Sequence, residues 1–335
     1  MNNKSTNMLF TSILLISVPI SISSNSWFIV WMGMEINMMA FIPLIMEQKN
    51  MLAKEAALTY FLVQTIASML MIMSFIIMSM KDINNINLGS ILLMSSLMIK
   101  SGMSPFHFWM PKMMEGINWN KCFILMTWQK LIPLMMMSNI IKINLITLTA
   151  MILSIIVGAI GGLNQTSLRK MMAYSSISNN GWMMMAMLMS EHMWMMYLIM
   201  YTIMTYIMTS SMNSYMNFHI NQIMSMNEST TKKLMIMMNM LSISGLPPMM
   251  GFMPKWLIIQ TATNMNELML MGTMIIMTLI TVFYYLRIMF SVMMLSNIEP
   301  KWNNKMIIKN KSKMYLMSTI TLTGLMLITM SIMLM

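Results

Sequence analysis

The sequence predicts an all-α polytopic membrane protein: about eleven transmembrane helices, in two inverted five-helix repeats plus a C-terminal helix, with helices 4 and 9 discontinuous. Three observations carry that expectation. Of 335 residues, 58% are apolar and 9% charged, where an ordinary soluble protein carries about 25% charged residues. The mean hydropathy is +0.69, more hydrocarbon than a soluble core absorbs and what a bilayer dissolves. A twelve-residue pattern also recurs 143 residues further along the chain.

A spanning helix needs about 20 mostly apolar residues. Runs between polar breaks give spans at 6–22, 26–46, 53–80, 86–117, 120–139, 143–163, 168–190, 192–216, 232–262, 267–295 and 313–334. They are expected to be helices, because lipid leaves the backbone no other hydrogen-bond partner than itself. Lys4 and the run Met8–Ile16 have the charge and apolar centre of a signal peptide. No small-residue cleavage site follows cleanly, and ten more apolar segments come after, so a first transmembrane helix is expected. An Arg-rich presequence is lacking, as expected of a gene inside an organelle. The whole chain, 1–335, reads as one membrane domain, with a first repeat at 6–139, a second at 143–295 and a closing helix at 313–334.

Charge placement agrees with eleven spans. One side of the membrane collects Lys4, Lys49, Lys54, Lys112, Lys121, Arg169, Lys170, Lys232, Lys233, Lys301, Lys305, Lys309, Lys311 and Lys313, the other only Lys81 and Lys142: fourteen against two. A missed helix would scramble that asymmetry. The N-terminus is therefore expected on the positive side and the C-terminus opposite.

The fourth and ninth spans contain helix breakers. Ser101-Gly102-Met103-Ser104-Pro105-Phe106-His107-Phe108-Trp109-Met110-Pro111-Lys112 shares six of twelve residues with the stretch from Ser244 to Lys255. The same offset lays spans 1–5 over spans 6–10, and an odd number of spans inverts the second copy. Inverted repeats with Gly/Pro-interrupted helices in matching places are the pattern of ion-coupled transporters.

Much chemistry is excluded. A single cysteine, Cys122, rules out a disulfide framework, a Cys₄ zinc site and a cysteine-ligated iron–sulfur cluster. Three histidines, His107, His192 and His219, cannot serve two bis-histidine haems. No dinucleotide or phosphate-loop motif occurs. The net charge of +11 has no soluble face on which to meet nucleic acid. The 63 methionines are spread along every apolar run, as when an isoleucine-like codon is read as methionine, and not gathered in polar metal-binding segments.

Ionisable residues in mid-membrane cost at least about 2.5–3.5 kcal/mol and are functional candidates by default. Glu35, Lys100, Lys130 and Lys255 lie near the centres of their spans or just past a break. One carboxylate cannot pair three amines. Burial lowers a lysine's pKa and a neighbouring carboxylate raises it, so such a set can relay protons. Lys100 precedes the first break, where the carbonyls ending its half-helix would favour a cation. The bland alternative is a structural Glu35–Lys100 pair. His107 could pass protons or simply pack at the break; His192 and His219 sit at helix ends. Lys112 reads as an interfacial anchor. Tyr174-Ser175-Ser176-Ile177-Ser178-Asn179-Asn180 could hold water or bond between helices. Gly158-x-x-x-Gly162 reads as close helix packing.

Five stretches together resemble a known family. They are Trp31-Met32-Gly33-Met34-Glu35-Ile36-Asn37, Lys100-Ser101-Gly102-x-x-Pro105-Phe106-His107-Phe108-Trp109, Met126-Thr127-Trp128-Gln129-Lys130, Gly161-Gly162-Leu163-Asn164-Gln165-Thr166-Ser167-Leu168-Arg169-Lys170, and Gly245-Leu246-Pro247-Pro248-x-x-Gly251-Phe252-x-Pro254-Lys255-Trp256. In order and over nearly the whole chain, they resemble the antiporter-like chain 2 family of mitochondrial NADH–ubiquinone oxidoreductase (respiratory complex I). The methionine content resembles insect or other arthropod members. The resemblance implies a proton-translocating membrane-arm subunit that carries no cofactor. NADH, FMN, iron–sulfur clusters and ubiquinone would belong to other subunits. It assigns the positions of Glu35, Lys100, Lys130 and Lys255 to the central proton path. In the leading reading Glu35 would set the charge of Lys100, Lys130 would relay, and Lys255 would exchange protons towards the exit. It further implies neighbouring membrane-arm and accessory subunits and inner-membrane lipids including cardiolipin as partners, and no nucleic acid. The N-terminus would face the matrix and the C-terminus the intermembrane space. Bacterial members have fourteen helices, and this chain resembles animal versions that lack the first three. The rival readings are a free-standing cation/proton antiporter and a non-pumping structural subunit.

Overall fold

The computed structural model describes residues 4–47, 50–80, 83–226, 230–247, 249–265 and 267–295, with 318, 319, 321 and 324. The expected loop at 299–313 and most of the expected helix at 313–334 lie outside the described residues. Among those residues every named element is a helix, with one isolated bridge between Ser167 and His219. The chain divides into two compact units, 1–150 and 151–335. The division falls within a helix that the sequence expectation begins at 143.

The first unit holds α1 (Lys4–Ile22), α2 (Trp27–Ile45), α3 (Met51–Ser79), α4 (Ile83–Ser101), α5 (Trp109–Gly116), α6 (Trp119–Met126) and α7 (Trp128–Ile140). α8 (Leu145–Gly162) carries the chain across the division. The second unit continues with α9 (Leu168–Met189), α10 (Glu191–Tyr215), α11 (Ile220–Met224), α12 (Thr230–Ser244), α13 (Phe252–Asn264) and α14 (Leu268–Leu295).

α3 shows how a membrane protein inverts the soluble pattern. Tyr60, Gln64, Ala67, Met71 and Ser74 recur at helical spacing and are buried, while Leu58, Leu62, Ile66, Met69 and Met73 are exposed. Lipid tails are as apolar as leucine, so burying hydrocarbon gives no driving force between helices. Close packing and polar contacts hold them instead, and the inner face is where the polar residues go. α3 packs this face on α4, α5 and α2, and α7 packs on α4 and α1. In the second unit, Gly158 lets α8 approach α9 closely, since a Cβ there would sit 2.7 Å from Ser178.

Among the described residues five helices are long and apolar enough to cross a membrane alone: Ser5–Ile22, Trp27–Ile45, Met51–Ser79, Leu145–Gly162 and Leu268–Met294. α9 is buried on almost every side, and its polar run Ser175–Asn180 faces protein and not lipid. The expected segments 86–117, 120–139 and 232–262 each comprise two shorter helices. The division of 120–139 at Thr127 departs from the sequence expectation, which makes that segment continuous. Thr127 has φ −118° and ψ −71°, and its hydroxyl donates to the Phe123 carbonyl at 2.7 Å. The Thr127 N–H donates to the same carbonyl at 3.1 Å, so the division lies in the Thr127 dihedrals, with no Gly or Pro at the position.

α4 ends at Ser101 and α5 starts at Trp109; α12 ends at Ser244 and α13 starts at Phe252, so both boundaries repeat at an offset of 143. Glycine stops both helices. Gly102 and Gly245 have φ of +70° and +82°, the left-handed region that a side chain opposes. Around Gly102, its N–H donates to Ile99 O and Met103 N–H donates to Met98 O. Around Gly245 the same pair of bonds joins Gly245 N–H to Ser242 O and Leu246 N–H to Leu241 O. This is the Schellman arrangement, with the prolines following the stop.

Candidate functional site

Glu35, on α2, meets Lys100, in the last turn of α4, inside the first unit. Lys100 Nζ stands 3.8 Å from Glu35 Oε1, with side-chain exposures of 5% and 21%. The same amine is 3.7 Å from Met34 Sδ, a weak acceptor. At 3.8 Å the pair is an ion pair without a direct hydrogen bond. Among the described residues Glu35 Oε1 accepts no hydrogen bond.

The carbonyls ending α4, expected to favour the Lys100 cation, have other partners. Met98 O accepts from Met103 N–H, Ile99 O from Gly102 N–H and the Trp109 indole (3.1 Å), and Lys100 O from Gln64 Nε2 (3.4 Å). The amine turns to α2 instead.

The arrangement expected at Lys100 occurs at Lys255. In the second unit Lys255, on α13, donates to the Ser244 carbonyl at 2.7 Å, at the end of α12. Its Nζ also lies 5.9 Å from the centre of the Trp182 ring on α9, within cation–π range. Phe252 occupies the repeat position of Trp109 and has no N–H to give, and the lysine amine closes this break. Lys255 is 7% exposed.

Lys130 is the third residue of α7 and is 3% exposed. Beside it the structure shows a group that sequence reasoning missed. Tyr60 OH donates to Gln129 Oε1 at 3.1 Å, and Gln129 Nε2 donates to Asn37 Oδ1 at 2.8 Å. The available signal was uncharged: Asn37, Gln64 and Gln129 are amides inside apolar spans.

The other candidates are placed as follows. Lys112, the repeat mate of Lys255, is exposed and pairs with Glu55 at 3.3 Å. His107 is buried in the α4–α5 connection; its Nδ1–H donates to Pro105 O at 3.2 Å, and its ring lies against Phe108. His192 is exposed near the start of α10, and His219 caps α11. On α9, Ser175, Ser176 and Ser178 donate to carbonyls of their own helix, while Asn179 Oδ1 accepts from Tyr197 OH on α10 at 2.9 Å. Lys121 and Asn118 both donate to Glu47 Oε1 at 2.5 Å. No cluster of three or more metal-ligating side chains occurs among the described residues.

The site is thus a half-buried carboxylate paired with a buried amine, a buried amine on α7, and a separate buried amine at the equivalent break of the second unit. Residues 24–281 match the family described as NADH:quinone oxidoreductase/Mrp antiporter, TM. NADH-ubiquinone oxidoreductase chain 2 of Anopheles gambiae is 42% identical, covering 98% of each chain. The Aedes aegypti protein of the same name is 43% identical, covering 97% of this chain and 98% of its own. Among solved structures, a chain of respiratory complex I from Thermus thermophilus superposes with a TM-score of 0.84 at 18% identity, over 97% of this chain and 79% of that one. A chain of the Mrp complex from a Dietzia species superposes with a TM-score of 0.79 at 11% identity, over 95% of this chain and 74% of that one. With these matches along almost its full length, the chain belongs to the NADH-ubiquinone oxidoreductase chain 2 family.

Proposed function

We propose that this chain is an antiporter-like, proton-translocating subunit in the membrane arm of NADH:ubiquinone oxidoreductase, in the mitochondrial inner membrane. The observation that carries the reading is the Glu35–Lys100 pair at 3.8 Å, its amine buried and its carboxylate partly so, on α2 and on α4, the helix against which α7, the bearer of the buried Lys130, packs. A structural ion pair is better served by direct hydrogen bonds. This one is long enough to loosen and re-form, and one water can bridge such a gap.

A buried ammonium is held charged by its carboxylate partner and gives up its proton when that charge is neutralised. Protonation of Glu35 therefore releases a proton from Lys100 to Lys130. Lys255 takes up and releases a proton in the second repeat, with the Ser244 carbonyl and the Trp182 face stabilising its cation. Each step moves one proton between an amine, a carboxylate and water, and no electrons move in this chain. NADH oxidation, the flavin, the iron–sulfur clusters and quinone reduction belong to other subunits.

The topology in this reading is eleven spans in two inverted five-helix repeats with helices 4 and 9 discontinuous, the N-terminus in the matrix and the C-terminus in the intermembrane space. The charge asymmetry and the repeated Gly stops support it. Capture of the chain from gently solubilised mitochondrial membranes should bring down NADH:ubiquinone reductase activity with it. Recovery of the chain alone, able to exchange cations for protons after reconstitution, would overturn the subunit reading in favour of a free antiporter.

A further inference from the structure

The three candidate proton-path residues of the first unit, Glu35, Lys100 and Lys130, are indexed against one neutral hydrogen-bonded bridge. Tyr60 is its hub. The ring packs edge-on against Phe41 of α2, with centroids 5.4 Å apart, and against Trp109 of α5 at 6.0 Å. The Trp109 indole holds the carbonyl of Ile99, the residue before Lys100. The Tyr60 hydroxyl holds Gln129, the residue before Lys130. Gln129 in turn holds Asn37, two residues from Glu35 on α2. Tyr60 is 2% exposed and Asn37 3%.

Successive side chains on a helix are rotated by about 100°. Fixing Gln129 on α2 and α3 therefore fixes the direction in which Lys130 leaves α7. This turn starts where α6 and α7 part at Thr127, and its first residue, Trp128, donates its indole N–H to Leu14 O on α1 at 3.0 Å, so the bridge shares the positioning of the turn with α1. Amides do not pass protons readily, so the bridge sets geometry and does not conduct. We infer that Tyr60, Gln129 and Asn37 are positioning residues that set the spacing of Lys130 against the Glu35–Lys100 pair, and with it the rate of proton transfer between the two amines. The inference rests on the proton-path reading above.

The test uses assembled complex carrying single variants, with NADH:ubiquinone turnover and protons moved per NADH normalised to the amount of complex. Gln129→Met and Tyr60→Phe should each slow coupled turnover by about tenfold, the scale of a small misplacement of reacting groups. The double variant should be no slower than the slower single, since both break one bridge. Gln129→Glu gives a readout that mere structural damage does not. Its protonated carboxyl can accept from Tyr60 and donate to Asn37, so turnover should recover as pH falls; the ionised form cannot donate. Wild-type turnover in both single variants, multiplicative slowing in the double, or a Gln129→Glu defect that ignores pH overturns the inference. If Gln129→Met does not assemble, Tyr60→Phe, which removes one oxygen, decides. Lys130→Met separates the two levels. If it pumps as wild type, the proton-path reading itself fails; if it stops pumping while both bridge variants behave as wild type, only the positioning inference fails.

Discussion

Replacing Gly245 with alanine probes the second break where it touches Lys255. Gly245 has φ +82°, and an L-residue in the left-handed region costs roughly 1–2 kcal/mol. The new Cβ would also lie 3.1 Å from both Cδ and Nζ of Lys255 and 3.2 Å from the Gly251 carbonyl. The amine is the group with room to move, and moving it stretches the 2.7 Å bond to Ser244 O. A hydrogen bond to a charged group contributes about 1.5–3 kcal/mol. The sum is about 2.5–5 kcal/mol, part of it taken directly from the lysine on the proposed path. Gly102→Ala is the internal control. It carries similar backbone strain at φ +70°, but its Cβ would meet Met110 Sδ at 3.2 Å and Trp109 at 3.3 Å, and no lysine. Both variants should lower the thermal inactivation temperature of the isolated complex, Gly245→Ala by more. Only Gly245→Ala should also lower protons pumped per NADH in the complex that survives. Equal stability loss with full pumping in both would refute the assignment of Lys255 to the break carbonyl.

Three further outcomes are expected. Trp109→Phe removes the indole donor to the Ile99 carbonyl and should destabilise the first unit by about 1–2 kcal/mol, read as earlier dissociation of the complex on detergent titration. Glu47→Gln weakens a partly exposed pair with Lys121, worth about 0.2–1 kcal/mol, and pumping stoichiometry should stay at the wild-type value; a loss would place a proton route through that edge. Protease added to inside-out inner-membrane vesicles should cut the lysine-rich segment 299–313, and protection of that segment would reverse the proposed orientation.

The helical architecture was legible because apolar runs and their polar breaks report the solvent directly. The two Gly stops were legible as a repeat of Gly/Pro-interrupted segments, and within each it is the glycine that ends the helix. The juxtaposition of Glu35 and Lys100 was legible from cost alone, since a charge in mid-span needs a reason to be there. Three things were not. The division at Thr127 has no Gly or Pro at the position, only a change of backbone dihedrals that no residue type announces. The exchange of roles between Lys100 and Lys255 depends on which carbonyls Gln64 and Trp109 already occupy, and these contacts join residues 36 and 10 positions apart. The Tyr60–Gln129–Asn37 bridge is uncharged, so it lacks the energetic penalty that marks a functional residue in lipid, and its members come from three helices.

The central claim is that Lys100 is charged and discharged in the pumping cycle. The measurement that tests it most directly is the number of protons moved per NADH oxidised by complex in which Lys100 is replaced by methionine. At 3.8 Å and an effective dielectric constant of about 20, the lost attraction to Glu35 is about 4 kcal/mol, so some loss of assembled complex accompanies the change. With its cation gone, the Glu35 carboxylate takes up a proton and stops responding to the relay. The account predicts that the complex which does assemble pumps fewer protons per NADH than wild type, or turns over more slowly under coupled conditions. Wild-type stoichiometry at wild-type turnover would contradict it and leave Glu35 and Lys100 as a structural pair.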